Sequence, residues 1–461
     1  MTTILRLLLA STLIALPGCI GSARIAAKPY DVIVVGAGLS GLTVAKDLMR
    51  NNRRVLVLEA TNRIGGRAHT IAGFSIPVDV GAAWLHGADT NPLTAIVDWM
   101  GFRRIPTDLD GPVFFGDHRL NEREMREYGE AYEATERGLA RAHADRPASE
   151  FLPVASRYRA LIASDIGPLE SGAEIERTSS ADAAAFQSDP DDFVKEGIGT
   201  WVQKFGRGVP VELATPVTGI RYGTEGDGGV LIETATGKTY RGRRVVVTVS
   251  TGVLAARRIA FRPELPQEKW AAIHGLPMGL LNKVVFQFDS DVLAAEGGNA
   301  WVLHQRTGTS GHPEVMAFVI KPLGASMVVG FYGAEQARRF EQLPDSHAID
   351  YAKIALRAMY GANVVAHIDD ARTRVTRWGK NPWTLGSYSA ALPDASKMHA
   401  ELGKPVGDRV FFAGEACGPP EFNGSLAAAY VAGLQASRQV QASLLAADAA
   451  RERDRHPERQ P

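Results

Sequence analysis

The sequence predicts an α/β fold, and three stretches carry that prediction. "YDVIVVGAGLSGLTVAKDLMRNNRRVLVLEA" reads as strand, tight turn, helix and strand. Residues 209–249 read as a small β-meander. The strands "NKVVFQF", "EVMAFVI" and "SMVVGFY" share a second αβ region, roughly 264–370, with an amphipathic helix at 344–360. At 461 residues the chain is too long for one simple core, so two domains are expected.

Taking the elements in order, Val32–Val35 is continuously apolar, the mark of a strand buried on both faces. Leu39, Leu42, Ala45 and Leu48 form a helical stripe, and Val55–Leu58 is the second strand. Gly36, Gly38 and Gly41 stand between the first strand and the helix as G-x-G-x-x-G. Such a turn must be tight, must let backbone approach a pyrophosphate, and must bring helix and strand close, so side chains are excluded. The N–H groups opening the helix then face phosphate charge. Glu59 ends the second strand 18 residues after Gly41. A carboxylate there accepts from ribose hydroxyls and repels a 2′-phosphate. The unit is Rossmann-like and predicts a bound dinucleotide.

Residues 120–145 follow a helical period, with Met125, Tyr128, Tyr132 and Leu139 along one side. Their charges read as a solvated face supported by i,i+4 pairs such as Glu122–Arg126. Residues 178–192 read as a loop or helix start. In "LLNKVVFQF", alternation sets Lys283, Val285 and Gln287 on one face. That face points either into water or into a site. The block 371–445 holds "RVFFAGE" and the helix "GSLAAAYVAGLQASRQVQASLL", whose small residues 426–433 allow a close approach to a flat ring system. A helix N-terminus there carries about half a positive charge, and an Ala-rich helix chosen for propensity is the alternative reading. Residues 448–461 are polar and expected to be disordered.

Lysine plus arginine balance aspartate plus glutamate at 51 each, so nothing suggests a nucleic-acid partner. Two cysteines, Cys19 and Cys417, exclude a disulfide framework and a Cys-based metal site, and no metal is expected. Residues 1–29 read as a leader and linker. Arg6 precedes an apolar run, Leu7–Leu16, too short to span a bilayer. "LPGC" is similar to a bacterial lipobox, although Pro17 is not the usual residue there and no twin-arginine pair is present. A lipid anchor on Cys19, plain secretion to the periplasm and an uncleaved N-terminal anchor all stay open.

"RIGGRAHT" and "RVFFAGEACG", together with the glycine turn, resemble the flavin-containing amine oxidase family, closest to its polyamine oxidase branch. The resemblance runs from about Tyr30 to Leu445. It implies an FAD held by Gly36, Gly38, Gly41, Glu59, Ala60, Gly66, Arg67, Val217, Gly414 and Glu415. It implies a substrate region at Trp84 and His86 in "GAAWLHG", Tyr388 in "NPWTLGSYSAALP", and Ser425. In this family a lysine on an "NKV" strand points inward and holds a water against the flavin, which makes Lys283 the catalytic candidate. The resemblance also implies an FAD domain of 30–88, 201–262 and 371–447, and an interleaved α+β substrate domain of 89–200 and 263–370.

Departures refine the expectation. Ser387 occupies the place of the cysteine bonded to FAD in monoamine oxidases, so the cofactor should be non-covalent, and Cys417 is displaced from that place. Ser425 replaces the second wall of the aromatic cage, which fits a long, thin amine. "GAAWLHG" lacks the arginine that amino-acid oxidases present to a substrate carboxylate. The implied activity is oxidation of a polyamine or related amine, with O2 reduced to hydrogen peroxide. An L-amino-acid oxidase or tryptophan 2-monooxygenase, and a flavin-binding lipoprotein without turnover, are the alternatives.

Overall fold

The computed structural model describes residues 29–107, 111–186, 190–223, 229–306 and 314–455. The leader with Cys19 and the last six residues lie outside the described residues. Two large sheets organise the rest. In the first, the strands run Val211–Glu212, Val55–Leu58, Tyr30–Val35, Thr239–Val247, Val230–Thr234, Val217–Tyr222 and Ala260–Arg262, and Val410–Phe412 also pairs with Thr239–Val247. The centre is parallel: Ile33 and Val34 lie against Leu56 and Val57 on one side and Val245 and Val246 on the other. These residues are buried, as continuous apolar runs in a doubly covered sheet require. The meander, Val217–Thr234, joins antiparallel.

The helix Leu39–Arg50 crosses from the first strand to the second, and the long helix Leu426–Arg455 packs on it. Gly433 makes that approach possible, since a Cβ there would stand 2.8 Å from Ser40 O. Ser437 Oγ donates to Asp47 across the same contact at 2.6 Å. The small residues of 426–433 therefore serve helix packing as well as the site. The long helix also continues past residue 448, where the sequence suggests disorder. Asp448 is clamped by Arg53 and Arg243, and these two ion pairs on the first sheet and its helix edge hold the extra turns.

The second sheet orders Ile368–Val375, Leu281–Phe288, Met327–Gly333, Glu314–Ile320, Ala300–Arg306, Val113–Phe115 and His118–Arg119. The Ala300–Arg306 strand is not among those read from the sequence. The lysine strand, Leu281–Phe288, is buried from Asn282 onward, so neither face meets bulk water. Val284, Phe286 and Phe288 fill one core, while Val285 packs with Val78, Val80 and Met327 on the other side. Gln287 accepts the Ser75 N–H at 2.7 Å. The water-facing reading of Lys283 and Gln287 is thus excluded: the segment around 75–81 covers their face.

Phe286 is fully buried in the second core. Phe286→Ala should destabilise the protein by about 3–5 kcal/mol, from lost transfer energy plus the cavity left behind. Urea denaturation of the holoprotein checks this.

Candidate active site

A cavity of about 1210 Å3 is walled by residues of both sheets, Glu59 and Val217 from the first and Lys283 and Phe331 from the second. At one end lies the glycine turn. Gly36 sits at φ +106°, and a Cβ on Gly41 would stand 2.0 Å from Gly36 O, so both must be glycine. The helix begins at Gly38 with no side-chain cap. Ser40 Oγ in its first turn is buried without a partner among the described residues. An uncapped helix start on a cavity wall is a ready site for phosphate. Glu59 Oε2 accepts the Ala37 N–H at 2.7 Å, and Oε1 accepts the Thr61 N–H and hydroxyl at 2.9 and 2.7 Å. Oε2 retains a lone pair for a ribose hydroxyl. Ala60, Pro216 and Val217 continue the wall. These residues fit a dinucleotide.

In the middle of the cavity Arg67 Nη1 meets Glu415 Oε1 at 2.6 Å and donates to Ser387 O at 3.2 Å. Glu415 also accepts the Ser389 N–H and hydroxyl at 3.1 and 2.6 Å. Burial works to raise the Glu415 carboxyl, but Arg67 and Ser389 outweigh it and hold the group below its ordinary value. Gly66 and Gly414, both at positive φ, carry the backbone past this pair along the wall.

Beyond it, Trp84, His86, Lys283, Ser387, Tyr388 and Ser425 share the remaining wall. Lys283 is 5% exposed and its Nζ donates to Asp79 O at 2.9 Å and Gly81 O at 2.7 Å. The rings of Trp84 and Phe331 flank it, with centroids at 5.6 and 5.3 Å. Burial lowers its pKa to about 8, against the pull of Asp79. Two of its three donors are spent on backbone, which leaves one for the cavity. His86 Nδ1 lies 2.7 Å from Asp191 Oδ2, and Asp191 Oδ1 accepts the Gly87 N–H at 3.2 Å. The carboxylate only accepts, so Nδ1 carries the proton, and in the neutral ring Nε2 is the basic nitrogen.

Ser387 donates to Leu281 O at 2.8 Å and accepts the Leu281 N–H at 2.9 Å, so it belongs to the lysine strand's pairing. Tyr388 OH donates to Leu169 O at 3.4 Å, and burial pushes its pKa well above the ordinary value. Ser425 Oγ accepts the Ala428 N–H at 3.3 Å and so caps the last helix while facing the cavity. Of the sequence-predicted residues, Gly41 alone packs behind the wall. Cys417 borders smaller cavities instead, its thiol pushed up to about 12 by burial.

Sequence reasoning missed the acids. Glu133, Glu136, Asp165 and Glu170 line the cavity with Tyr128, Tyr132 and Trp301. Burial pushes Asp165 up to about 6, against hydrogen bonds from Tyr132 and Trp301. Glu170 has open surface, but surface facing the cavity, and the surrounding protein with Asp165 pushes it up to about 8. The helix Glu122–Ala140 thus turns Met125, Tyr128 and Tyr132 to the cavity rather than only to a core. Its i,i+4 ion pairs are Arg123–Glu127 and Glu133–Arg137; a Glu122–Arg126 pair is not observed among the described residues. Glu136 was findable, four residues after Tyr132 on the same helix face, whereas Glu133, one residue on, was not. Asp165 and Glu170 sit in a wide turn, Asp165–Ser171, around Pro168, which gives no periodic signal.

Comparison with known proteins agrees with this geometry. Residues 39–191 and 171–441 match the family of flavin containing amine oxidoreductases. The chain is 30% identical over 460 residues to a probable polyamine oxidase 4 of Arabidopsis thaliana, covering 89% of this chain and 87% of that one. It is 28% identical to polyamine oxidase 4 of Oryza sativa subsp. japonica, with 92% and 91% covered. A solved double mutant of putrescine oxidase shares the fold, with a TM-score of 0.72 at 19% identity, covering 90% of this chain and 99% of the other. The cavity that takes a dinucleotide, the buried lysine and these matches lead to one assignment: the chain belongs to the flavin-containing amine oxidoreductases and is an FAD-dependent amine oxidase.

Proposed function

We propose that this enzyme oxidises polyamines, with FAD bound non-covalently and O2 as the electron acceptor. The observation that carries this reading is the acidic arm of the cavity: Glu133, Glu136, Asp165 and Glu170 beside aromatic walls. A polyamine holds several ammonium groups on a thin aliphatic chain, so distal charges meet carboxylates while methylenes lie along Tyr128, Tyr132 and Trp301. The names of the plant relatives, and of the structurally similar putrescine oxidase, support it. The open position at Ser425 favours a long chain over a compact arylalkylamine.

A bound FAD would supply the redox chemistry, removal of a hydride equivalent from the carbon next to the amine nitrogen and delivery of two electrons and two protons to O2 as hydrogen peroxide. The imine left behind is hydrolysed by water to an aldehyde. The chain's own residues prepare the amine. His86, oriented by Asp191, accepts the proton of the reacting ammonium at Nε2. Trp84 and Tyr388 wall the neutral amine from water, and Lys283 presents its third donor at the flavin end.

An amino acid substrate fits less well. The arginines on the cavity wall are Arg63, which donates to Gly66 O, Arg67, held by Glu415, and Arg258 at the first sheet's edge. Among the described residues the substrate end carries acids instead, which would repel a carboxylate. An export route with lipid on Cys19 is proposed from the leader alone. Radiolabelled palmitate should enter the wild-type protein in a bacterial host and not Cys19→Ala; equal labelling of both would refute a lipid on that cysteine.

Peroxide release with spermidine, spermine and putrescine, but not with benzylamine or tryptophan, is the expected outcome of an amine panel, and silence toward all polyamines would reject the reading. Glu170→Gln should raise KM for spermidine roughly tenfold or more while barely changing a monoamine's. Because the Glu170 carboxyl is raised to about 8 in the folded chain, its ionisation works against folding as pH rises from its unfolded value toward 8. The variant should therefore melt higher than wild type at pH 8 and equally at pH 4, in matched thermal scans.

A further inference from the structure

We propose that Asp79 is a positioning residue for Lys283: its carboxylate anchors the segment whose carbonyls hold the lysine's ammonium, and its charge stabilises that ammonium in an otherwise apolar wall. The inference deepens the amine oxidase reading, since it supplies the support for that reading's lysine. The segment 79–82 lies along 67–70. Val80 N–H donates to His69 O at 2.9 Å and Ala82 N–H to Arg67 O at 3.2 Å. Successive carbonyls then point opposite ways. Asp79 O and Gly81 O accept from Lys283, while Val80 O accepts from Trp378 Nε1 at 3.0 Å. A Cβ on Gly81 would stand 1.8 Å from Arg67 O, so glycine is required for the approach.

The Asp79 side chain fixes this segment from its other side. It accepts the Thr70 hydroxyl at 2.5 Å and the Ile198 and Gly199 N–H groups at 2.9 and 3.2 Å. All three partners are donors, which selects the carboxylate form. Burial is the largest influence and leaves the Asp79 carboxyl above its ordinary value, while these donors and Lys283 pull toward the carboxylate. The other charged or titratable groups around this wall are accounted for. Arg67 is paired with Glu415, and His86 with Asp191. His69 stands near Arg63 and Arg374. Phe331 and Thr376, opposite Lys283 on the neighbouring strands, are uncharged. The charge acting on the ammonium is that of Asp79.

The test compares FAD-loaded wild type, Asp79→Asn, Lys283→Met and the double variant. NMR of isotope-labelled lysine side chains, assigned by the signal missing in Lys283→Met, follows the titration of Lys283 without any amine present. A chain inactive on amines would still answer it, so failure of the substrate reading and failure of this inference are distinguishable. The Lys283 midpoint, near 8 in wild type, should fall by about one pH unit in Asp79→Asn, with visible flavin absorbance retained. The limb of the kcat–pH profile that vanishes in Lys283→Met should move by the same amount, and the double variant should be no slower than Lys283→Met. An unmoved midpoint, or a double variant slower by the product of the single effects, would overturn the proposal. Should Asp79→Asn not fold, Asp79→Glu keeps the charge but displaces the segment. It should lower kcat roughly tenfold or more with KM unchanged, and wild-type kcat there would equally overturn it.

Discussion

The Arg67–Glu415 pair is the contact on which the rest of the site hangs. It joins positions 348 apart in sequence and, through Ser387 O and the Ser389 N–H, draws in a third segment. A buried carboxylate without such partners would be strongly unfavourable, and removing one partner would leave the other charge uncompensated. The pair therefore specifies which loops meet at the cavity. The backbone of Arg67 adds a second constraint, because its carbonyl receives the Ala82 N–H and forces Gly81 to be glycine. Arg67 and the support of Lys283 are parts of one braced edge.

Charge on this chain is balanced as a whole yet sharply divided inside. The middle of the cavity carries a paired arginine, the wall beside it a lysine with its pKa lowered to about 8, and the far arm carboxyls raised to about 6 and about 8. Each shift has burial as its first cause, so near neutral pH Asp165 stays mainly ionised while Glu170 keeps its proton until a cation arrives. An incoming cation changes that state: its charge lowers the Glu170 pKa, the proton leaves to solvent, and the carboxylate so formed binds the cation.

The glycine turn, Glu59 and the parallel core were legible because local sequence dictates them: a tight turn admits no side chain and a doubly covered strand admits no polar residue. Alternation placed Lys283 and Gln287 on one face correctly. It could not say what covers that face, because the cover comes from 75–81, some two hundred residues earlier. Asp191, which orients His86 across 105 positions, was invisible for the same reason. The Asp165–Ser171 turn has neither helical nor strand period, so its acids left no pattern. The extra turns beyond residue 448 rest on Arg53 and Arg243, far away in the chain, while composition pointed to a loose end.

The opposed carbonyls of Asp79, Val80 and Gly81 set a rule for how this edge can evolve. Apart from Asp79 and Gly81, side chains along it can vary wherever their own packing permits, since backbone oxygens hold the ammonium. Length cannot: one residue inserted or lost between the His69 and Arg67 contacts would exchange the acceptors of Lys283 for that of Trp378. A lineage of this enzyme can therefore drift in composition at this edge only around Asp79 and Gly81, and its indels must fall elsewhere.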